Sequence, residues 1–327
     1  MSVTRCKSTF SIVAADLQAG EVGCAVQSRY FSVGSVVPWA RAGTGAVATQ
    51  AAGVAAFGPL ALAELDRGAS AEEALERVLA DDPGRETRQL GIVTADGRAA
   101  AFTGANCLDW AGHRVGAGFA VQGNILAGAS VVDEMARVYE ETVGSLVDSL
   151  VAALEAGQAA GGDKRGQQSA AVIVERVGAR NDSREGIDRI CDLRVEDHTQ
   201  PIVELRRLVG IWTGWEAQRR ANAFYERGDN ASAAEVVRAA LAREENPGML
   251  YNLACYESLA GRRDEAVASL GRAIELDPSF RALARSRATT LTSTRFAPRS
   301  QSSSSRKRVP GTGLCVYGAI STNPSSA

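Results

Sequence analysis

The chain has 327 residues, 36 Lys+Arg against 38 Asp+Glu, a formal net charge of −2 and 45% apolar composition, which suits one large or two modest globular domains. A balance this close to neutral argues against a nucleic-acid-binding protein, because phosphate neutralisation needs a surplus of cations on some face. No apolar run of about 18 residues occurs, and the opening MSVTRCKSTF lacks the apolar stretch of a secretory signal, so no membrane span and a cytoplasmic location are expected. Six cysteines without a C-x-x-C pair and only two histidines, His113 and His198, offer neither a disulfide framework nor a ligand set; no metal and no cofactor are expected.

In chain order, segments 8–15 and 20–27 read as a strand hairpin around the turn-rich DLQAG, and FSVGSVV (31–37) and TGAVATQ (44–50) as further strands. Residues 59–68 and 70–80 read as a helix pair, the second opened by a capping box of Ser70 and Glu73. Segment 90–104 is a hairpin in which Asp96-Gly97 supplies the positive-φ residues of a tight turn. DWAGHRVG, with His113, reads as a loop, and 118–124 as a strand. A second helix pair spans about 130–142, opened by Ser130, and 145–158; strands resume at 169–177 and 188–196 after the polar loop GGDKRGQQ. Strands, two helices, strands, two helices, strands is an order that fits an α+β architecture of two stacked sheets covered by helices.

From about residue 213 the composition turns to helix formers with a 33-residue period: Gly228, Ala233 and Ala240 recur as Gly261, Ala266 and Ala273. The second copy, 247–279, carries Leu250, Leu253, Ala254, Gly261, Ala266, Leu270, Ala273 and Pro278, and resembles the tetratricopeptide repeat. Two copies over 213–287 are fewer than the three that usually stand alone, so the module is expected to lean on the preceding domain or on a partner. Beyond 288, serine, threonine and basic residues replace apolar periodicity, and the tail is expected to be disordered.

Polar residues and glycines gather at strand ends: Ser28-Arg29, Gln50, Gln122-Gly123-Asn124 and the run from Gly161 to Ser169. Loops at strand ends are where scaffolds keep functional groups. Of the three lysines, Lys7, Lys164 and Lys307, Lys164 is the sharpest, since a compact ammonium has an adjustable pKa and a guanidinium does not. Asp163 and Arg165 beside it can set charge or grip a carboxylate. Cys24 and Cys191 lie in apolar strands and read as core. Neither histidine stands in a nucleophile motif.

STFSIVAAD, VQSRYFSVGSVVPWARAGTGAVATQA, GFAVQGNILAG and ALEAGQAAGGDKRGQQSAA resemble the family called domain of unknown function 1028, placed among the N-terminal-nucleophile hydrolases, over about residues 8–210. The resemblance implies a four-layer αββα sandwich over 9–210 and, at the opening of its first strand, Thr9 as nucleophile. In that superfamily the first residue's own α-amine, with a reference pKa of about 7.7–8.0, serves as general base, so no histidine is required. Thr9 has that amine only if the leader 1–8 is removed or translation begins near it. Arg29 stands near where the family commonly has a strand-borne lysine, which leaves Lys164 to tune the site, with Asn124 and backbone amides as oxyanion donors. Ser28, Arg29, Gln50, Gln122, Asp163, Arg165 and Ser169 are the expected substrate-binding set.

Two functions follow as expectations: an amide-bond hydrolase acting on a peptide or small amide, or a catalytically silent αββα module whose repeat pair docks a partner helix or peptide. A homo-oligomer is expected in either case.

Overall fold

A computed structural model describes residues 9–180 and 187–284. The leader 1–8 and the tail 288–327 lie outside them. The chain divides into two compact units, 1–209 and 210–327, so the second begins a few residues before the compositional change near 213.

In the first unit, β1 (Thr9–Asp16), β2 (Glu21–Ser28), β7 (Gly112–Gly116), β8 (Phe119–Asn124), β9 (Ser169–Arg180) and β10 (Ile187–Val195) form a six-stranded antiparallel sheet in the order β10-β9-β2-β1-β8-β7. A second, four-stranded antiparallel sheet has the order β3-β4-β5-β6, built from β3 (Pro38–Arg41), β4 (Gly45–Ala51), β5 (Arg88–Thr94) and β6 (Ala99–Thr103). The protein is thus a mixed α+β fold with antiparallel sheets. β1 and β8 of the first sheet pack on β4 and β5 of the second. Helices α1 (Phe57–Asp66) and α2 (Ala71–Leu79) pack on the four-stranded sheet, and α3 (Ser130–Glu141) and α4 (Leu146–Ala159) on the six-stranded one.

Small residues set the spacing of these layers. Between the sheets, Val13, Cys24, Val26, Ala46, Ala48, Val93, Ala120, Ala171 and Ile173 form a core of small and β-branched side chains, which suit a pleated surface. Cys24 and Cys191 are both buried, as their apolar strands suggest. Under the helices, Gly23 lets β2 pass close to Leu150 of α4, where a Cβ would collide with that side chain and with Val174.

Local departures from the sequence reading have physical causes. FSVGSVV is not a strand. Ser32 takes a left-handed conformation, Val33–Ser35 form a single 3-10 turn, and β3 starts only at Pro38. The Val33 amide is held instead by the Ser169 hydroxyl at 3.0 Å, a long-range bond with no local signature. In the β5–β6 hairpin only Gly97 has positive φ, and Asp96 does not; Gly97 donates to the Thr94 carbonyl at 2.9 Å. His113 lies within β7 rather than in a loop. Ser70 and Glu73 form the expected capping box, but α3 is capped from Ala129, which places Ser130 inside the helix.

α5 (Pro201–Glu226) begins in the first unit, where Arg206 pairs with Asp148 and Glu155 of α4 at 3.2 and 2.9 Å. The second unit continues through α6 (Asn230–Leu241), α7 (Pro247–Leu259) and α8 (Arg263–Leu276). Gly228 and Gly261 close the two turns between helices with φ of 80° and 79°, the left-handed conformation that glycine adopts without a Cβ penalty. Ala233 and Ala266 are fully buried. The core of this unit joins Ala217 and Ala221 of α5 to Val237, Met249, Leu253 and Tyr256. No helix among the described residues is long and apolar enough to cross a membrane.

Candidate functional site

Strand register brings four polar residues side by side across the end of the six-stranded sheet. Thr9 pairs with Asn124 of β8 on one side and Ser28 of β2 on the other, and Ser28 pairs in turn with Ser169 of β9. Directly paired residues share a face of a sheet, so Asn124, Thr9, Ser28 and Ser169 form one continuous row, and all four are buried. The hydroxyls of Thr9 and Ser28 are hydrogen-bonded at 3.1 Å. Ser169 donates to the Tyr30 carbonyl at 2.5 Å, which fixes the chain where it leaves β2.

Beneath this row lies a buried amide network joining the two sheets. The Ser11 hydroxyl donates to Gln50 Oε1 at 2.6 Å, and Gln122 Nε2 donates to the same hydroxyl at 2.6 Å. Gln50 Nε2 donates to Gln89 Oε1 at 2.8 Å and approaches the Thr9 carbonyl at 3.4 Å. Asn124 Nδ2 also donates to Gln89 Oε1, at 3.0 Å. Gln89 is therefore the hub. Its Nε2 donates to Thr103 Oγ1 and to the Gly112 and Gly123 carbonyls at 2.9, 3.1 and 2.8 Å, and Thr103 Oγ1 lies 2.9 Å from His113 Nδ1. Burial and the neighbouring Arg114 hold the His113 imidazole below its ordinary pKa.

The loop before β9 closes the other side. Asp163, buried to 4% exposure, accepts the backbone amides of Arg29 at 3.1 Å and Arg165 at 2.8 Å, and pairs with the Arg165 guanidinium at 3.2 Å. The Lys164 amide donates to the Ile125 carbonyl at 3.0 Å and its ammonium to the Asp109 carbonyl at 3.4 Å. Arg29 reaches the Gln167 carbonyl at 3.1 Å.

Among the described residues, the non-glycine residues with positive φ are Ser32, Ala51 and Ile125. Ala51 and Ile125 directly follow Gln50 and Asn124, and Ser32 follows the Ser28–Tyr30 corner. A β-branched residue such as Ile125 pays the most for that conformation, and strain of this kind persists where the surroundings over-determine the backbone.

Of the residues singled out from sequence, Thr9, Ser28, Asn124 and Ser169 form the row, and Arg29, Asp163, Lys164 and Arg165 its rim. Gln50 and Gln122 lie in the inter-sheet network and are fully buried, so they act on the site through Ser11, Thr9 and Gln89 rather than by touching solvent. Gln89 carries no mark in the sequence, because after Thr87 and Arg88 it reads as the end of a polar turn before the apolar run of β5; the one available signal is its kinship with Gln50 and Gln122, amides in otherwise apolar strands. His198 sits at the start of the segment leading to α5 and caps the Gln200 amide at 3.0 Å. No group of three or more His, Cys, Asp or Glu among the described residues could hold a metal ion.

Fold and site together define a mixed α+β unit whose polar centre is built from strand ends. The model of a family of unknown function, DUF1028, matches residues 9–205, and the chain belongs to that family. Among solved structures, the crystal structure of protein SPO2555 from Silicibacter pomeroyi, a DUF1028 protein, is 31% identical, covering 63% of this chain and 89% of that one with a TM-score of 0.57. No curated protein matches the chain.

Proposed function

We propose that the protein is an amide-bond hydrolase of the N-terminal-nucleophile type, acting on a peptide or small amide, with an αββα sandwich as catalytic unit and a tetratricopeptide-like repeat pair as its second unit. The supporting observation is the position of Thr9. It opens β1 in the middle of a buried polar row, its hydroxyl 3.1 Å from that of Ser28.

Once the Ser8–Thr9 bond is broken, the Thr9 α-amine takes the proton of the Thr9 hydroxyl as the oxygen attacks the amide carbonyl, then passes it to the leaving amine. Water hydrolyses the resulting ester by the same route in reverse. Ser28 orients the hydroxyl. Asn124, anchored on Gln89, lies beside Thr9 in register and contributes with backbone amides to holding the oxyanion. Lys164 and Arg29 supply positive charge at the rim.

Breaking the Ser8–Thr9 bond is required for the amine, and Thr9 itself is fully buried. That burial equally favours a second reading, a catalytically silent module whose helical repeats bind a protein partner. The mass and first residue of the purified protein, together with turnover of an amide library by wild type and Thr9→Ala, separate the two. A chain starting at Thr9 whose turnover vanishes in Thr9→Ala supports the hydrolase. A chain that keeps residues 1–8 and shows no turnover sensitive to Thr9 selects the binding module.

A further inference from the structure

Arg29 and Lys164 are distinguished by the partner they lack. Among the residues of the first unit whose side chains are described, every other lysine or arginine is ion-paired with a carboxylate. These two instead reach only main-chain carbonyls, those of Gln167 and Asp109. Both are exposed. Among the described residues, a unit that neutralises its cations so consistently leaves unneutralised only the two at the rim of the polar row.

Their placement is tied to Thr9 from both sides. Arg29 directly follows Ser28, the β2 neighbour of Thr9. The Lys164 amide is hydrogen-bonded to the carbonyl of Ile125, the residue after Asn124, which is the β8 neighbour of Thr9. Asp163 stands between them, but its oxygens are taken up by the amides of Arg29 and Arg165 and by the Arg165 guanidinium, and no salt bridge joins it to either cation. The one buried carboxylate of the rim thus fixes the backbone that carries the two charges without quenching them. A planar guanidinium suits a carboxylate bidentately, and an ammonium adds a point charge.

We infer that Arg29 and Lys164 form a carboxylate-binding subsite beside Thr9, and that the substrate is an amide bearing a carboxylate close to its scissile bond rather than a neutral amide. The reaction rests on the hydrolase reading above; the charge selectivity is measurable without it. Isothermal titration of the full chain with succinate, which has no amide to cleave, and with neutral succinamide is the test. Succinate is expected to bind in preference to succinamide, more weakly as salt is raised. Arg29→Gln and Lys164→Gln should each weaken succinate binding about three- to tenfold, while Arg29→Lys retains part of it. Arg137→Gln, which removes a guanidinium paired on α3, should leave it unchanged. No succinate binding, equal binding of succinamide, or succinate binding indifferent to both substitutions overturns the subsite. Ammonia release from succinamate is read separately: its absence alongside intact succinate binding removes the hydrolase reading and leaves the anion site standing.

Discussion

Replacing Gln89 by methionine, close in size but without the amide, should destabilise the first unit more than any exposed substitution in it. The substitution removes the acceptor shared by Gln50 Nε2 and Asn124 Nδ2 and the donor to Thr103 Oγ1, Gly112 O and Gly123 O. A buried polar group that loses its partner costs about 1–3 kcal/mol. Gln50 keeps weaker contacts with the Thr9 and Gln122 carbonyls at 3.4 and 3.3 Å, and the two glycine carbonyls lie in the paired strands β7 and β8. The loss is therefore a sum of partial ones, about 3 kcal/mol. For a unit of this size that corresponds to a fall in Tm of about 6–12 °C. Thermal unfolding followed by far-ultraviolet circular dichroism, with the exposed Gln18→Met as control, measures it. A loss below about 1 kcal/mol, within the range of an ordinary surface change, would mean that the amides repartner or hold water, and that Gln89 is not the tie between the sheets.

Other expectations follow from single contacts. Gly91→Ala places a methyl on the Gln122 side-chain amide and should cost about 1–3 kcal/mol through overpacking, read as a shift in urea midpoint without a change in slope. Because the folded protein holds the His113 pKa down, the unfolded chain binds more protons as pH falls through about 6.5, so stability should decline there; His113→Gln should flatten that part of a Tm-against-pH profile across about pH 5–7. Burial pushes the Cys24 thiol far above its ordinary pKa, so a thiol reagent should leave it untouched in the native state and, among the cysteines of the described residues, modify the half-buried Cys107 first, as peptide mapping after labelling would show.

Much of the architecture was legible because each hairpin carries its own period and its own turn. Thr9–Asp16 and Glu21–Ser28 flank the four-residue turn Leu17-Gln18-Ala19-Gly20, and Gly228 and Gly261 mark the helix corners by composition alone. What local sequence could not disclose were features decided by distant partners. FSVGSVV has the composition of a strand, but the Ser169 hydroxyl and a left-handed Ser32 turn it into a corner. His113 sits among glycines and looks like loop, and only pairing with Gln122 across β7 and β8 makes it strand. The row Asn124, Thr9, Ser28, Ser169 was visible as four separate polar strand ends; their adjacency depends on sheet order, which places β1 between β2 and β8. Gln89 is hidden because its partners, Gln50 and Thr103 in its own sheet and Asn124, Gly112 and Gly123 in the facing one, are all distant in sequence.

The strand order also bears on which edges of the sheets invite further pairing. The six-stranded sheet ends in β10 and β7, and the four-stranded sheet in β3 and β6, and exposed outer strands are templates for further pairing. β10 carries Asp188, Arg189, Asp192 and Arg194, with Arg189 and Arg194 both gripping Asp192, and a register shift interrupts its ladder near Arg189. β3 is only four residues long and begins with a proline that has no amide to donate. A stranger's strand approaching β10 would have to strip water from these charges, and one approaching β3 would find little to pair with. At β10 and β3, then, the apolar centre that makes β1 and β2 such effective inner strands is bordered by strands that discourage a neighbour.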